Sequence, residues 1–381
     1  PYTDARLLFG GGYRDEGTAS RRLIFLSTRQ SVRMDVLLVY GAYGYTGELI
    51  SRRAAARDFD PVLAGRDPDR LHRLAADLDC RSRAFGLTDD IESQLSGIDA
   101  VLNCAGPFAA TAEPFVDACL ARGVDYLDIT GELPVFERLA RRDGEAREAG
   151  VTLMPGVGYD VVPTDSLAAH LQERLPEATH LALALSASGS LSGGTLKTLI
   201  DGFGSGSAIR EDGQLRYVPS ASKTRVVDFG AGAETVMTIP WGDLSTAYRT
   251  TGIPNIAVYV AVPDAVRHGL RLTRPIEGVF AADPVQRFLK GLVDRFVEGP
   301  SEAARAENET TIWGEAWSEA TGETVQSILR TPDTYELTAA AALACAEGVL
   351  AGEAPAGFVT PAGAFGSDLV LELPGVSRQD R

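Results

Sequence analysis

The sequence predicts an α/β fold: an N-terminal Rossmann-type, doubly wound parallel sheet plus a mixed α+β second domain. Three observations lead there. Between residues 36 and 154, short apolar runs alternate with amphipathic segments at the spacing of β-α units. A glycine-punctuated turn over 41–47 follows the first apolar run and opens the first amphipathic segment. Past Pro155 the alternation gives way to strand-like stretches rich in Thr, Val and Gly.

In order, residues 36–40 form an apolar run ending at glycine, the pattern of a buried parallel strand. The spacing predicts a helix over 45–57, a strand over 61–64 and a helix over 67–78, with Leu71, Leu74 and Leu78 on one face. Strands follow at 83–85, 99–103, 124–129 and 151–154, with helices over 111–122 and 135–149. Next comes a helix over 164–175 that places Leu167, Leu171 and Leu175 together. Strands at 181–186, 224–229, 234–239, 256–262, 315–320 and 324–329 suggest a largely antiparallel sheet. Helices are expected near 196–203 and at 283–297, the second capped by Asp283 with Pro284 in its first turn. An alanine-rich helix over 335–350 has the low polarity of a buried element.

Composition limits the function classes. With 381 residues, 45% of them hydrophobic, and a mean hydropathy of −0.02, the chain is neither disordered nor fibrous. It lacks any apolar run of the ~18–20 residues that a membrane-spanning helix needs, so stable membrane insertion is not expected. Fifty-two acidic residues against 36 basic ones give a net charge of −16, which disfavours nucleic acid as a partner. Lysine is scarce (Lys197, Lys223 and Lys290), and an acidic, lysine-poor surface suits concentrated salt, a halophilic trait. Cys80, Cys104, Cys119 and Cys345 show no C-x-x-C and the four histidines no cluster, so no metal site is expected and a reducing cytoplasm is the expected location. Residues 1–33 carry six arginines and three acids without sustained periodicity. Ser20-Arg21-Arg22 has the look of a twin-arginine signal, but the apolar segment after it is too short. These residues read as a disordered leader or a mis-assigned start, with the folded chain beginning at Met34.

The turn Gly41-Ala42-Tyr43-Gly44-Tyr45-Thr46-Gly47 sits where a dinucleotide fingerprint belongs. Gly41 permits the tight turn, Gly44 lets backbone approach a pyrophosphate, and Gly47 allows close helix–strand packing. The second strand ends Ala64-Gly65-Arg66-Asp67. Arg66 favours a ribose 2′-phosphate and hence NADP(H), while Asp67 keeps NAD open. Asn103-Cys104-Ala105-Gly106-Pro107-Phe108 ends the fourth strand beside the expected switch point, where small residues let a cofactor pass. Cys104 reads as a buried small residue. The boundaries place an NADP-binding domain over 34–158, a substrate and oligomerisation domain over 159–332, and a C-terminal helix and tail over 333–381 that return to the first domain.

These blocks, with Tyr126-Leu127-Asp128-Ile129-Thr130-Gly131-Glu132 and the segment 155–165, occur in one order that resembles the saccharopine dehydrogenase-like oxidoreductases, in particular the branch of the trans-acting enoyl reductases. Later blocks agree: Gly193-Gly194-Thr195, Pro240-Trp241-Gly242-Asp243, Thr251-Gly252-Ile253-Pro254 and Thr360-Pro361-Ala362. The resemblance spans nearly all of 34–381. It implies an NADP-binding Rossmann domain, a second domain that supplies the substrate pocket and an oligomer interface compatible with a homodimer, and reductase or dehydrogenase activity. The substrate is expected to be a small molecule or lipid-linked, with reduction of an activated C=C or C=N bond. Saccharopine itself would require clustered cations, and Lys197, Arg210, Arg216, Lys223 and Arg225 are the candidates. Two other readings stay open: an imine or amino-acid dehydrogenase closer to saccharopine reductase, and a non-catalytic NADP-binding sensor or scaffold.

Hydride transfer needs a proton donor and a stabiliser of developing charge. Asp128 and Glu132 follow the fifth strand and are placed to orient ribose or nicotinamide, or to cap a turn. Tyr159 and Asp160 lie past the sixth strand as candidate donor and its orienting acid, or as hinge packing. Lys197 is a candidate donor or anchor near a helix start.

Overall fold

The computed structural model describes residues 35–57, 59–186, 206–219, 221–230, 232–262, 285 and 308–381. Asp35–Arg381 forms one compact unit. Its first sheet contains β1 (Leu37–Tyr40), β2 (Val62–Gly65), β3 (Arg81–Ala84), β4 (Ala100–Asn103), β5 (Asp125–Asp128), β6 (Thr152–Met154) and β15 (Gly357–Phe358). The order is β15-β6-β5-β4-β1-β2-β3 and every pairing is parallel. Strand order therefore reverses between β1 and β4, the crevice where doubly wound sheets hold ligands. The intervening helices are α1 (Tyr45–Ala55), α2 (Pro68–Leu78), α3 (Ile91–Gln94), α4 (Phe108–Arg122), α5 (Leu133–Ala140) and α6 (Asp143–Ala149).

The apolar runs are strands because both of their faces are covered. Leu37 and Val39 share a core with Ile50 of α1 and Leu71 of α2, whereas Leu38 and Tyr40 share another with Ile91 of α3 and Phe115 of α4. All four strand residues are buried, as a parallel sheet between helices requires.

Beyond β6 the chain runs through α7 (Val162–Arg174), β7 (His180–Ser186), β8 (Ser207–Glu211), β9 (Gln214–Val218), β10 (Thr224–Asp228) and β11 (Ala233–Thr238). It continues with α8 (Asp243–Thr251), β12 (Asn255–Ala261), β13 (Glu309–Trp317) and β14 (Thr324–Pro332). The end comprises α9 (Thr334–Leu350), β15, α10 (Pro361–Phe365), a 3-10 turn and β16 (Ser377–Asp380). The second sheet has the order β10-β11-β12-β7-β13-β14-β16, with β8 joining β12 and forming a hairpin with β9. Its pairings are antiparallel except β12 with β7. Helix α7 lies against β13 so tightly that a Cβ on Gly314 would come within 2.6 Å of Leu171 Cδ1. The alanine-rich α9 is buried along most of its length, as its composition implied.

Several expectations shift. The helix expected over 135–149 is two helices, divided at Arg141–Arg142, where the Arg142 side chain reaches to Asp117 of α4 and Glu145 of α6. The strand expected at 315–320 overlaps only the last three residues of the longer β13, which ends at Trp317, and the helix expected from 111 begins at Phe108. The β8–β9 hairpin, α8, β15, α10 and β16 were not anticipated. The helices expected near 196–203 and at 283–297, Val285 excepted, lie outside the described residues. No described helix is long and apolar enough to cross a membrane.

Candidate functional site

Because the first sheet is parallel, the loops that follow β1, β2, β4, β5 and β6 open at one edge. The first is the glycine loop. Gly41 takes a left-handed φ of 80°, and the N–H groups of Gly41 and Ala42 both donate to the Ala64 carbonyl, at 2.9 and 3.1 Å, tying the loop to β2. A Cβ on Gly47 would stand 2.2 Å from the Gly41 oxygen, so strand and helix meet at a distance only glycine allows. Helix α1 starts at Gly44 without a side-chain cap. Its first-turn N–H groups and dipole form an anion-binding end. The loop therefore has the shape and polarity that a dinucleotide diphosphate requires.

At the end of β2, Tyr43 covers Gly65 closely, since a Cβ there would lie 2.5 Å from the tyrosine ring. The Asp67 N–H donates to the Tyr43 hydroxyl at 3.0 Å, and the Arg70 guanidinium stacks on the same ring at 4.7 Å. Asp67 itself accepts from the N–H groups of Asp69 and Arg70 and is the N-cap of α2. The acid that kept NAD open is thus committed to a helix end, and the helix expected from 67 begins one residue later. Arg66 is exposed, with no ion-pair or hydrogen-bond partner among the described residues.

The ends of β4 and β5 share a buried polar network. Asn103 donates to the hydroxyls of Thr111 (3.0 Å) and Tyr126 (3.2 Å) and accepts from the Ala105 N–H at 3.0 Å. The Tyr126 hydroxyl donates to Asp128 at 2.8 Å. The other Asp128 oxygen accepts from the N–H groups of Thr130 and Gly156, both at 3.0 Å. Asp128 is fully buried, and desolvation pushes its carboxyl up to about 6 despite those donors. It locks the β5 and β6 loops to each other. Glu132 has both oxygens on the first N–H groups of α4, from Phe108 at 2.8 Å and Ala109 at 2.9 Å. It caps that helix from a distance in sequence that no local pattern reveals. The same network carries the segment from Cys104 through Ala105 and Gly106 to Pro107 along the crevice, and burial raises the Cys104 thiol.

Past β6, Tyr159 is buried and hydrogen-bonded through its side chain to Thr310 of β13. Asp160 keeps partial exposure. Its carboxyl lies on Gly131, where a Cβ would come within 2.5 Å of it, and among the described residues it has no hydrogen-bond or ion-pair partner. Desolvation raises it to about 6. The Trp241 indole N–H donates to the Asp160 carbonyl at 2.9 Å, and Trp241 also bridges to Glu132, so the tryptophan ties the segment after β11 to the loops after β5 and β6. Lys197 lies outside the described residues. Sequence reasoning did not single out Asp165 or Asp243 as site residues. Both are fully buried behind Asp160, and the Trp-Gly-Asp run was the available signal for Asp243.

Of the cations considered for an acidic substrate, Arg210 is 6% exposed and ion-paired to Glu137 of α5 at 3.1 Å. Arg216 pairs with Glu211 at 2.7 Å, and Arg225 pairs with Glu315 while lying over Trp313. Among the described residues no group of acids, histidines and cysteines could hold a metal, and all four cysteines are free.

Residues 37–154, the parallel sheet from β1 to β6, match the family model of the saccharopine dehydrogenase NADP-binding domain. The chain is similar to a trans-acting enoyl reductase of Mycobacterium ulcerans, 30% identical over 151 residues, which are 37% of this chain and 36% of that protein. It is also similar to a human saccharopine dehydrogenase-like oxidoreductase, 26% identical over 203 residues, 46% of this chain and 47% of that one. The matches thus cover a third to a half of these relatives. The saccharopine dehydrogenase (L-Glu forming) of Saccharomyces cerevisiae shares the fold, with a TM-score of 0.65 at 12% identity over 91% of this chain and all of that one. The fold likeness reaches into the second sheet, beyond the NADP-binding domain.

Proposed function

We propose that the protein is an NADP(H)-dependent oxidoreductase that reduces an activated C=C or C=N bond of an acyl or lipid-like substrate. The observation that carries this reading is the pairing, at one sheet edge, of the glycine cradle with an unpartnered Arg66 and of a partly exposed, unpartnered Asp160. The α1 N-terminus and loop amides hold the diphosphate, Arg66 reaches the 2′-phosphate, and the Asn103–Asp128 network keeps the crevice walls in register. When bound, the nicotinamide supplies the hydride. Asp160, raised to about 6 by desolvation, is poised to hold and release a proton near neutral pH. Tyr159 is the less suited donor, because its hydroxyl is buried against Thr310.

The ion pairs of Arg210, Arg216 and Arg225 support a substrate without paired carboxylates over a saccharopine-like one. The test is titration with NADPH and NADH followed by nicotinamide fluorescence, then NADPH oxidation with 2-enoyl thioesters and cyclic imines. Preferential NADPH binding followed by turnover of an enoyl or imine substrate is the expected result. Binding without turnover across the panel would favour a sensor or scaffold. No nucleotide binding by the folded protein would remove the oxidoreductase reading.

A further inference from the structure

The glycine loop carries two tyrosines that turn to opposite sides. Tyr43 packs on Gly65 at the end of β2, with the Arg70 guanidinium stacked on its ring. Tyr45, the first residue of α1, turns instead to Tyr335 in the first turn of α9, with ring centroids 4.7 Å apart and planes at 75°. The two sides correspond to the two halves of the parallel sheet. Helix α2, on the Tyr43 side, packs on β2 and β3, whereas α9, on the Tyr45 side, packs on α1, β4 and β5. A dinucleotide lies across the point where strand order reverses, here between β1 and β4, with one mononucleotide over each half. Arg66, at the end of β2, draws the 2′-phosphate and its adenosine to the Tyr43 side. The nicotinamide end then falls on the Tyr45 side.

The tyrosine pair suits a planar ring. Tyr45 stays 41% exposed, beside first-turn amides of α1 that no side chain caps. An edge-on pair covers at most one face of one of its rings, so flat aromatic surface remains for a third ring. The joint between α1 and α9 has anchors of its own. Arg53 donates to the Glu336 carbonyl at 3.0 Å and pairs with the Glu336 carboxylate, and Arg57 pairs with Glu347 at 2.9 Å. One turn after Tyr335, and on the same face, Thr338 accepts from the Tyr159 N–H at 3.1 Å. A Cβ on Gly158 would stand 3.0 Å from the Thr338 methyl. Helix α9 thus sets the spacing between Tyr335 and the turn that carries Asp160.

We propose that Tyr45 and Tyr335 form the wall on which the nicotinamide ring of the cofactor packs, and that the pair fixes the ring relative to Asp160. This rests on the NADP(H) reading above. Both tyrosines act by holding the ring, and neither takes part in proton transfer.

Calorimetric titration of the full chain with NADPH and with 2′-phospho-ADP-ribose, which lacks only the nicotinamide, tests the wall. Tyr45→Ala should weaken NADPH about fivefold, the worth of one aromatic contact, and change 2′-phospho-ADP-ribose by less than about twofold. Tyr335→Leu, which keeps bulk between α1 and α9, should show the same selective loss. In both variants the emission of bound NADPH should move toward that of the free nucleotide. Tyr43→Ala, on the adenosine side, should weaken both ligands by one factor. Unchanged NADPH affinity in either of the first two variants, or equal loss of both ligands, overturns the wall. A Tyr43→Ala loss confined to NADPH overturns the assignment of sides. Urea unfolding confirms that each variant is folded. A wild type that binds neither ligand marks failure of the NADP(H) reading itself, whereas a wild type that binds both, matched by Tyr45→Ala, marks failure of the wall alone.

Discussion

Two polar clusters lie a short distance apart and are built on opposite terms. Around Asp128, three donors meet one buried carboxyl, and Asn103, Thr111 and Tyr126 complete a closed network. Around Asp243, a carboxyl equally buried meets no donor, and the hydroxyls of Ser166 on α7 and Thr246 on α8 are also unpartnered. The first arrangement fixes backbone: it holds the loops that border a cofactor. The second leaves buried polar atoms unsatisfied, which weakens the fold locally. Satisfied and unsatisfied polar burial thus occur in one folded unit.

The contrast breaks most directly on paired truncations. Asp128→Ala strands the Tyr126 hydroxyl and two N–H groups, and should cost about 3–4 kcal/mol with loss of NADPH binding. Asp243→Ala should cost less than about 1 kcal/mol, because no made hydrogen bond is lost. Urea unfolding at neutral pH measures both, and equal losses would dissolve the distinction. Nearly as large is the effect expected at the seam between the two regions. Glu137→Ala leaves Arg210 buried without its partner, for a loss of about 3 kcal/mol by the same measurement.

A pH series sharpens the same comparison. Asp128 is held near 6, above the usual carboxylate value of 3.8, so the folded chain binds more protons than the unfolded one between those limits. Stability from this group is full below about 4 and is lost as pH rises through about 6. The stability of wild type relative to Asp128→Asn should therefore fall by on the order of 2 kcal/mol between pH 4 and about 7. Arg66→Ser should weaken NADPH roughly tenfold, or ~1.5 kcal/mol, and leave NADH unchanged in a fluorescence titration. The smallest effect belongs to salt. With a net charge of −16, the urea midpoint should rise modestly with KCl, worth about 1 kcal/mol or less, and a flat response would remove the halophilic reading.

The inner strands β1, β2 and β4 of the parallel sheet were legible because they are buried on both faces and written as apolar runs, whereas the edge strand β3, Arg-Ser-Arg-Ala, is partly exposed and left a weak signal. Glycine spacing identified the cradle for a local reason too: Gly47 answers to the Gly41 carbonyl six residues away, and Gly41 to its own left-handed φ, although Gly41 also packs against Cys104 and Ala105 of the distant β4 loop. What escaped depends on distant partners. Glu132 caps α4 from another loop, and nothing near it in sequence announces that. Asp128 reads as an acid at a strand end, and only the folded chain reveals its three donors. The β8–β9 hairpin did leave a signal, Asp212-Gly213, whose φ angles of 51° and 74° match the two-residue turns of tight hairpins. It was passed over because no strand was expected between 187 and 223, and Arg210 was weighed only as a candidate cation for an acidic substrate. Asp67 followed by Pro68 is likewise a legible helix start, and it decides that Asp67 serves the helix.

The order in which the sheets close also bears on how the chain is made. β15 supplies the outer strand of the parallel sheet beside β6, and β16, some twenty residues later, supplies the outer strand beside β14. During synthesis the parallel sheet lacks its outer strand until β15 has emerged and the second sheet until β16 has, so before β15 a growing chain leaves the β6 and β14 edges open together. Such edges recruit other chains. Slowing translation over the codons for β15 and β16, or removing β16, would therefore be expected to lower soluble yield more than a comparable change near the glycine loop.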